Sequence, residues 1–227
     1  IFFMIKIINT SSYDENLIHK YILKDPNSLF YTNPNYLKLI SSVTGSKIYY
    51  LIALKNKEIS GVLPYMVKIG PVGKVFNSLP YFGSNGGVIL EKNDMIIKSR
   101  LINEFYSIAS KKNVISATII TNPFEKHIKV YERISNLTFR DTRISLMTHL
   151  QKNMTEEGFI KKLDNPRPRN IRKALKEGII VTEDKSELSL KFLYKTHQKN
   201  ITAINGIPKS KNFFLKINSF LRKQDWK

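Results

Sequence analysis

Apolar and polar positions along this 227-residue chain change period several times, and the changes mark out its elements. Residues 4–8 read as a first strand, and Ser12 followed by Glu15 forms a capping-box start for a helix that ends by Pro26. Pro34 suits the first position of a second helix, which Gly45 closes. The period then shortens. Residues 47–54 and 59–67 are β-rich runs separated by the polar 55–58, a hairpin signal, and 72–79 continues as strand. Residues 80–87 interrupt it before 88–90 resume. Ile97, Leu101, Phe105 and Ile108 recur at helical spacing and predict a helix over 94–111. A strand over 115–120, a turn at 122–123, a helix over 125–134 and one or two strands over 137–150 follow. The pattern then begins again, with a helix near 155–163, a short basic helix over 165–178, a strand over 179–183 and a helix from Ser186. The last of these carries Leu190, Leu193, Tyr194, His197 and Ile201 at helical spacing, so His197 reads as a core-edge residue. A final helix over 212–222 has no strands to cover. This order predicts an α/β chain with a mixed sheet: a complete unit over 1–150 and a shortened second unit over 151–227.

The basic helix is the most informative stretch. Pro168 suits its first position and Gly178 the left-handed residue that ends it. At 100° per residue, Arg169, Arg172, Lys173 and Lys176 gather on one side, and Ile171, Ala174 and Leu175 on the other. No acid is expected on the basic side. Arg167 adds a cation at the helix entrance, where backbone N–H groups also favour anions, and the flanking prolines stiffen the approach. A solvated basic face is the alternative reading.

Composition widens the choice of partner. Lys plus Arg number 37 against 18 for Asp plus Glu, a net charge of +19 that suits nucleic acid, phosphorylated substrates or an anionic membrane surface. A hydrophobic content of 42% supports a real core. The absence of cysteine excludes disulfides, a thiol nucleophile and cysteine-ligated metal, and allows a reducing, cytoplasmic setting. The apolar start, 1–8, is too short to span a bilayer and lacks the marks of a secretory signal. The first methionine is Met4 and the sequence stops at Lys227 just after a helical pattern, so a partial chain is expected. There is no Walker-type phosphate loop, no His-Glu-x-x-His and no Gly-x-Ser-x-Gly. His19, His127, His149 and His197 lack ligand spacing, so no metal site is expected. In the loop over 81–87, Ser84, Asn85, Gly86 and Gly87 could let backbone N–H groups approach a ligand beside an aromatic wall of Tyr81 and Phe82. A tight bend between strands explains the same residues. No nucleic-acid-binding signature appears.

Several stretches together resemble a known group. They are Phe30-Tyr31-Thr32-Asn33-Pro34-Asn35-Tyr36-Leu37, Tyr50-Leu51-Ile52-Ala53 with Gly61-Val62-Leu63-Pro64, and Ser78-Leu79-Pro80-Tyr81 with Gly86-Gly87. Further on come Arg169-Asn170-Ile171-Arg172-Lys173-Ala174-Leu175-Lys176-Glu177-Gly178 and Gly206-Ile207-Pro208 before Phe213-Phe214. In this order they resemble the Fem-type peptidyltransferases and their acetyltransferase-domain relatives, in the GNAT acyltransferase superfamily, which carry two such units in tandem. The resemblance implies a GNAT-like fold and transfer of an acyl or aminoacyl group onto an amine. Acyl-CoA or aminoacyl-tRNA would be the donor, and an anionic or lipid-linked cell-envelope precursor, as in peptidoglycan synthesis, the acceptor. It implies tRNA and a membrane surface as partners, and a first unit that has lost cofactor binding. The turn before residue 94 accordingly lacks Arg/Gln-x-x-Gly-x-Gly, so this chain alone is expected to bind no cofactor and to lack a full active site. By the same resemblance Arg172, Lys173 and Lys176 hold substrate phosphates or carboxylates, with Lys173 foremost. Asn122 stands where some relatives place an acid, which leaves the base unassigned, and Tyr36 where relatives often carry tryptophan. The alternative function is a noncatalytic module that binds tRNA or anionic lipid.

Overall fold

The computed structural model describes residues 5–11, 13–78, 85–111, 113–134, 137–148 and 151–226. Its contacts divide the chain into two units, one of Ile1–Arg140 with Ser186–Trp226 and the other of Asp141–Lys185.

The first unit holds a five-stranded sheet in the order β1 (Ile5–Thr10), β2 (Lys47–Lys55), β3 (Glu58–Gly70), β4 (Gly73–Asn77) and β5 (Val114–Thr118). Neighbours are antiparallel through β4, and β4 and β5 are parallel. A parallel pair needs a crossover, supplied by α3 (Met95–Lys111). The β2–β3 hairpin turns on Asn56 (φ 53°) and Lys57 (φ 67°), the two positive φ values of the tight turn that matches strand twist. Before the sheet proper come α1 (Glu15–Ile22) and α2 (Pro34–Thr44). The result is an α/β chain with a mixed sheet, as the sequence predicts.

Both faces of the sheet are covered, so β2 and β3 are apolar without a polar alternation. Tyr50, Ile52, Val62 and Met66 face α1 and α2, while Leu51, Ala53, Leu63, Tyr65 and Phe76 face α3. Asn33 accepts the Asn35 N–H at the start of α2, Pro34 stands first in the helix, and Gly45 closes it at φ 67°. At α1 the cap is Asp14, whose carboxylate accepts the Asn16 N–H at 2.8 Å. The expected cap, Ser12, lies outside the described residues.

After β5 the chain forms α4 (Ile128–Ile134), and the second unit forms α5 (Glu156–Lys161) and α6 (Arg167–Lys176). Three expectations fail here. Residues 137–148 and 179–183 join no strand ladder. Their β-rich composition fits a pleated surface, but a strand also needs a neighbour, and Leu146 and Val181 are each 92% exposed. The third concerns the end of the chain. α7 (Glu187–Ala203) is followed by α8 (Lys211–Leu215) and α9 (Ile217–Phe220) in place of one uncovered helix. Phe213, Phe214, Ile217 and Leu221 are buried in the same core as Tyr36 and Leu37. The stretch expected as a second unit over 151–227 thus parts in two: Ser186–Trp226 groups with the first unit, and Asp141–Lys185 carries α5 and α6.

Candidate functional site

In sheets with parallel strands, ligands gather beyond the strands' carboxyl ends. Here that edge is formed by β4 and β5. The Ser78 N–H, just past β4, donates to the Thr118 carbonyl at 3.0 Å. Beyond residues 79–84 the strand path resumes, with the Gly86 N–H on the Ile120 carbonyl at 2.7 Å and Ile89 bridged to Val62 of β3. Ser78 is 3% exposed, and its hydroxyl has no hydrogen-bond partner among the described residues. A buried hydroxyl left in this state is uncommon and needs an explanation.

Of the expected loop residues, Tyr81 and Ser84 lie outside the described residues. Gly86 and Gly87 are described, and the Gly86 N–H is already engaged, so it does not offer itself to a ligand. Gly87 has φ 92°, and a Cβ there would sit 3.2 Å from the Tyr131 hydroxyl. Close approach of backbone to a tyrosine accounts for this glycine. Gly87→Ala should lower the unfolding free energy by about 1–3 kcal/mol through the strained φ, measurable by urea denaturation. An unchanged midpoint would disprove that role.

Behind the glycines lies a network that sequence reasoning missed. The Tyr131 hydroxyl accepts the Val88 N–H at 3.2 Å and donates to Glu125 at 3.4 Å. Both Glu125 oxygens accept from the Lys98 ammonium at 2.8 Å, and one also accepts the His127 N–H at 2.8 Å. The Lys98 and Glu125 side chains are only 5% and 8% exposed. Burial raises the Tyr131 pKa above the ordinary phenol value, which keeps its proton in place for Glu125. A signal was available: Lys98 stands at i to Leu101, Ile102 and Phe105 at i+3, i+4 and i+7, a lysine inside the buried stripe of α3.

The start of α3 is closed to an anion by its own cap. The Asp94 carboxylate accepts the N–H groups of Ile96 and Ile97 at 2.9 and 3.1 Å, so a donor phosphate placed there would meet a negative charge. Asn122 serves its turn, accepting the Phe124 N–H at 2.9 Å and donating to the Asn27 carbonyl at 2.6 Å. Tyr36 packs on Phe30 and Tyr31, and burial pushes its pKa up to about 12. His197 accepts the Lys209 N–H at 3.0 Å with its ring against Phe214, a structural part in keeping with its core-edge spacing.

The cations lie in the other unit. Helix α6 begins at Arg167, with Pro168 one place inside, and ends where Gly178 takes φ 75° and the Ile179 N–H returns to the Ala174 carbonyl at 3.1 Å. Ile171 and Ala174 are half-buried, and Leu175 remains 54% exposed. The basic side is not free of acids as expected. Arg172 pairs with Glu157 of α5 at 2.9 Å and Lys173 with Glu177 at 3.7 Å. Arg167, Arg169 and Lys176 have no ion-pair partner among the described residues. Also among those residues, no group of three or more His, Asp or Glu could hold a metal ion, and no helix is long and apolar enough to cross a membrane.

No family model matches this chain, and no curated protein matches it. Among solved structures, one described as a probable acetyltransferase is similar with a TM-score of 0.42 and 14% identity, over 63% of this chain and 99% of that one. An aminoglycoside acetyltransferase from an uncultured soil metagenomic sample, solved in complex with sisomicin and separately with trehalose, is similar with a TM-score of 0.36 and 15% identity, over 65% of this chain and 97% of that one.

Proposed function

We propose that this protein takes part in acyl or aminoacyl transfer from acyl-CoA or aminoacyl-tRNA to the amine of an anionic acceptor, in the cytoplasm. The observation that carries this reading is the parallel β4–β5 pair in an otherwise antiparallel sheet, ending beside the unpartnered Ser78 hydroxyl. In such a transfer the amine attacks the acyl carbonyl, charge builds on the carbonyl oxygen, and the thiol or ribose hydroxyl of the donor leaves. A preorganised hydroxyl donor stabilises that oxygen. The Asp94 cap argues against a donor diphosphate at the start of α3, which favours a donor held elsewhere. Taken by itself, helix α6 of the other unit offers cations to a phosphate or carboxylate, with Lys173 and Arg172 foremost. Their pairs with Glu177 and Glu157 are exposed and worth at most about 1 kcal/mol, so an anion can displace the acids. A cell-envelope precursor of the peptidoglycan type is the acceptor class that the sequence resemblance favours.

The test is to incubate the protein with acetyl-CoA and with charged tRNA against a panel of phosphorylated amines, following acyl transfer by mass spectrometry. Transfer is expected from one donor, and Arg172→Ala with Lys173→Ala should raise the acceptor's KM about tenfold or more by removing two charge-assisted contacts. Anion binding without transfer from either donor would overturn the transferase reading in favour of a binding module. A KM unchanged in both variants would show that α6 does not bind the acceptor.

A further inference from the structure

The first turns of α1 and α2 share one spacing of residues: His19 follows Glu15-Asn16, and Lys38 follows Pro34-Asn35, each four places after the first of its pair. Residues four apart lie on one helix face. In the first unit these two faces line a cavity of about 260 Å³, which Arg222, just beyond α9, completes. Apart from Pro34 its lining residues are polar or charged. Glu15 and Lys38 pair from one helix to the other, and their side chains are 40% and 43% exposed. The Asp225 carboxylate accepts from Nε and Nη2 of Arg222, each at 3.0 Å, which orients the guanidinium and leaves Nη1 without a partner among the described residues. The side chains of Asn16, His19 and Asn35 also have no hydrogen-bond partner among those residues. Nearby, the Tyr50 hydroxyl is buried without a hydrogen-bond partner among them, and its pKa is raised by that burial and then by the charge of Glu15.

A cavity that holds charges of both signs selects its ligand by charge. A simple anion would gain Lys38 and Arg222 but set itself against Glu15, and a simple cation would meet the reverse. A zwitterion exchanges partners instead: its carboxylate takes Lys38 and Nη1 of Arg222, its ammonium takes Glu15, and no charge is left bare. The Glu15–Lys38 pair that must open is half-exposed, and pairs of that kind contribute little to stability. The volume falls below the range of about 300–1,000 Å³ usual for drug-sized ligands, so the ligand is small. Asn16, Asn35 and His19 have amide and imidazole groups to spare for a polar side chain. We propose that the cavity between α1, α2 and Arg222 binds a free α-amino acid with a polar side chain.

Isothermal titration of the whole chain with L-glutamine and with L-serine tests this, without any acyl donor or acceptor, so its failure leaves the transfer assay standing. Saturable binding of at least one of the two is expected. Its N-acetyl derivative, which lacks the ammonium, and its α-amide, which lacks the carboxylate, should each bind about tenfold more weakly or worse. Glu15→Gln and Lys38→Gln should each weaken binding of the free amino acid about tenfold. Both side chains are part-exposed, so unchanged circular dichroism and melting serve as the folding control. The two derivatives probe the same charges in the unaltered protein. Absence of binding by both amino acids would overturn the proposal. So would full binding by both variants, or an N-acetyl derivative bound as tightly as its parent, which would mark a site for anions alone.

Discussion

Lys98→Met is expected to lower the unfolding free energy by about 3–5 kcal/mol, the usual consequence of removing one partner from a buried ion pair. The ammonium donates to both oxygens of Glu125 at 2.8 Å. Once it is gone, the carboxylate stays in a site 8% open to water with the His127 N–H and the Tyr131 hydroxyl as its remaining partners. Those cannot offset a full charge. Glu125→Gln should destabilise to a similar degree by stranding the ammonium. Combining Lys98→Met with Glu125→Leu removes both charges, and it should recover most of the loss because neither desolvation penalty then remains. Denaturant midpoints of the three variants decide the matter. A Lys98→Met midpoint equal to the parent's would mean that the pair is not buried in solution. Through Tyr131 the same pair reaches Val88, so amide exchange at residues 86–89 should quicken in Lys98→Met before the rest of the sheet.

Phe105→Ala is expected to cost about 3–5 kcal/mol, as for other buried aromatics truncated to alanine. Phe105 is fully buried on the inner face of α3, with ring centroids 5.5 Å from Tyr65 and 6.2 Å from Phe76. These neighbours are fixed by the sheet, since Tyr65 belongs to β3 and is bonded to Asn9 of β1 at 2.9 Å. The void can therefore collapse only in part, and unfilled volume adds to the lost transfer energy. Phe105→Leu, which keeps most of the volume, should cost less than half as much. Urea unfolding measures both, and a loss under about 1 kcal/mol for Phe105→Ala would place the residue among ordinary surface sites.

Elements whose cause is local could be read from the chain. Asn33, Pro34 and Gly45 bound α2 through caps and fixed φ values, the 55–58 turn lies between two β-rich runs, and Gly178 ends α6, each within a few residues of its effect. The failures have distant causes. Residues 179–183 have strand composition, but whether a partner lies beside them is not written in their own sequence. The burial of Phe213 and Phe214 depends on Tyr36 and Leu37, far back in the chain. The candidate site divides in the same way. The cations of α6 are plain from their spacing, whereas Glu157, fifteen residues before Arg172, reaches it only through the packing of α5 on α6. Glu125 meets Lys98 across 27 positions, and only the misfit of a lysine in an apolar stripe hinted at it.

The return of Ser186–Trp226 to the first core makes Asp141–Lys185 an excursion between two parts of one domain. During synthesis, the surface around Tyr36 and Leu37 cannot be closed until Phe213, Phe214 and Leu221 have been made, so this core is completed late, by contacts of long sequence separation. The excursion is under a looser constraint. Its two ends need only leave and rejoin the domain, and closure entropy rises slowly with the length of a connection, by about 0.6 kcal/mol per doubling of a flexible one. Evolution can therefore lengthen, recharge or replace the segment bearing α6 with little demand on the sheet.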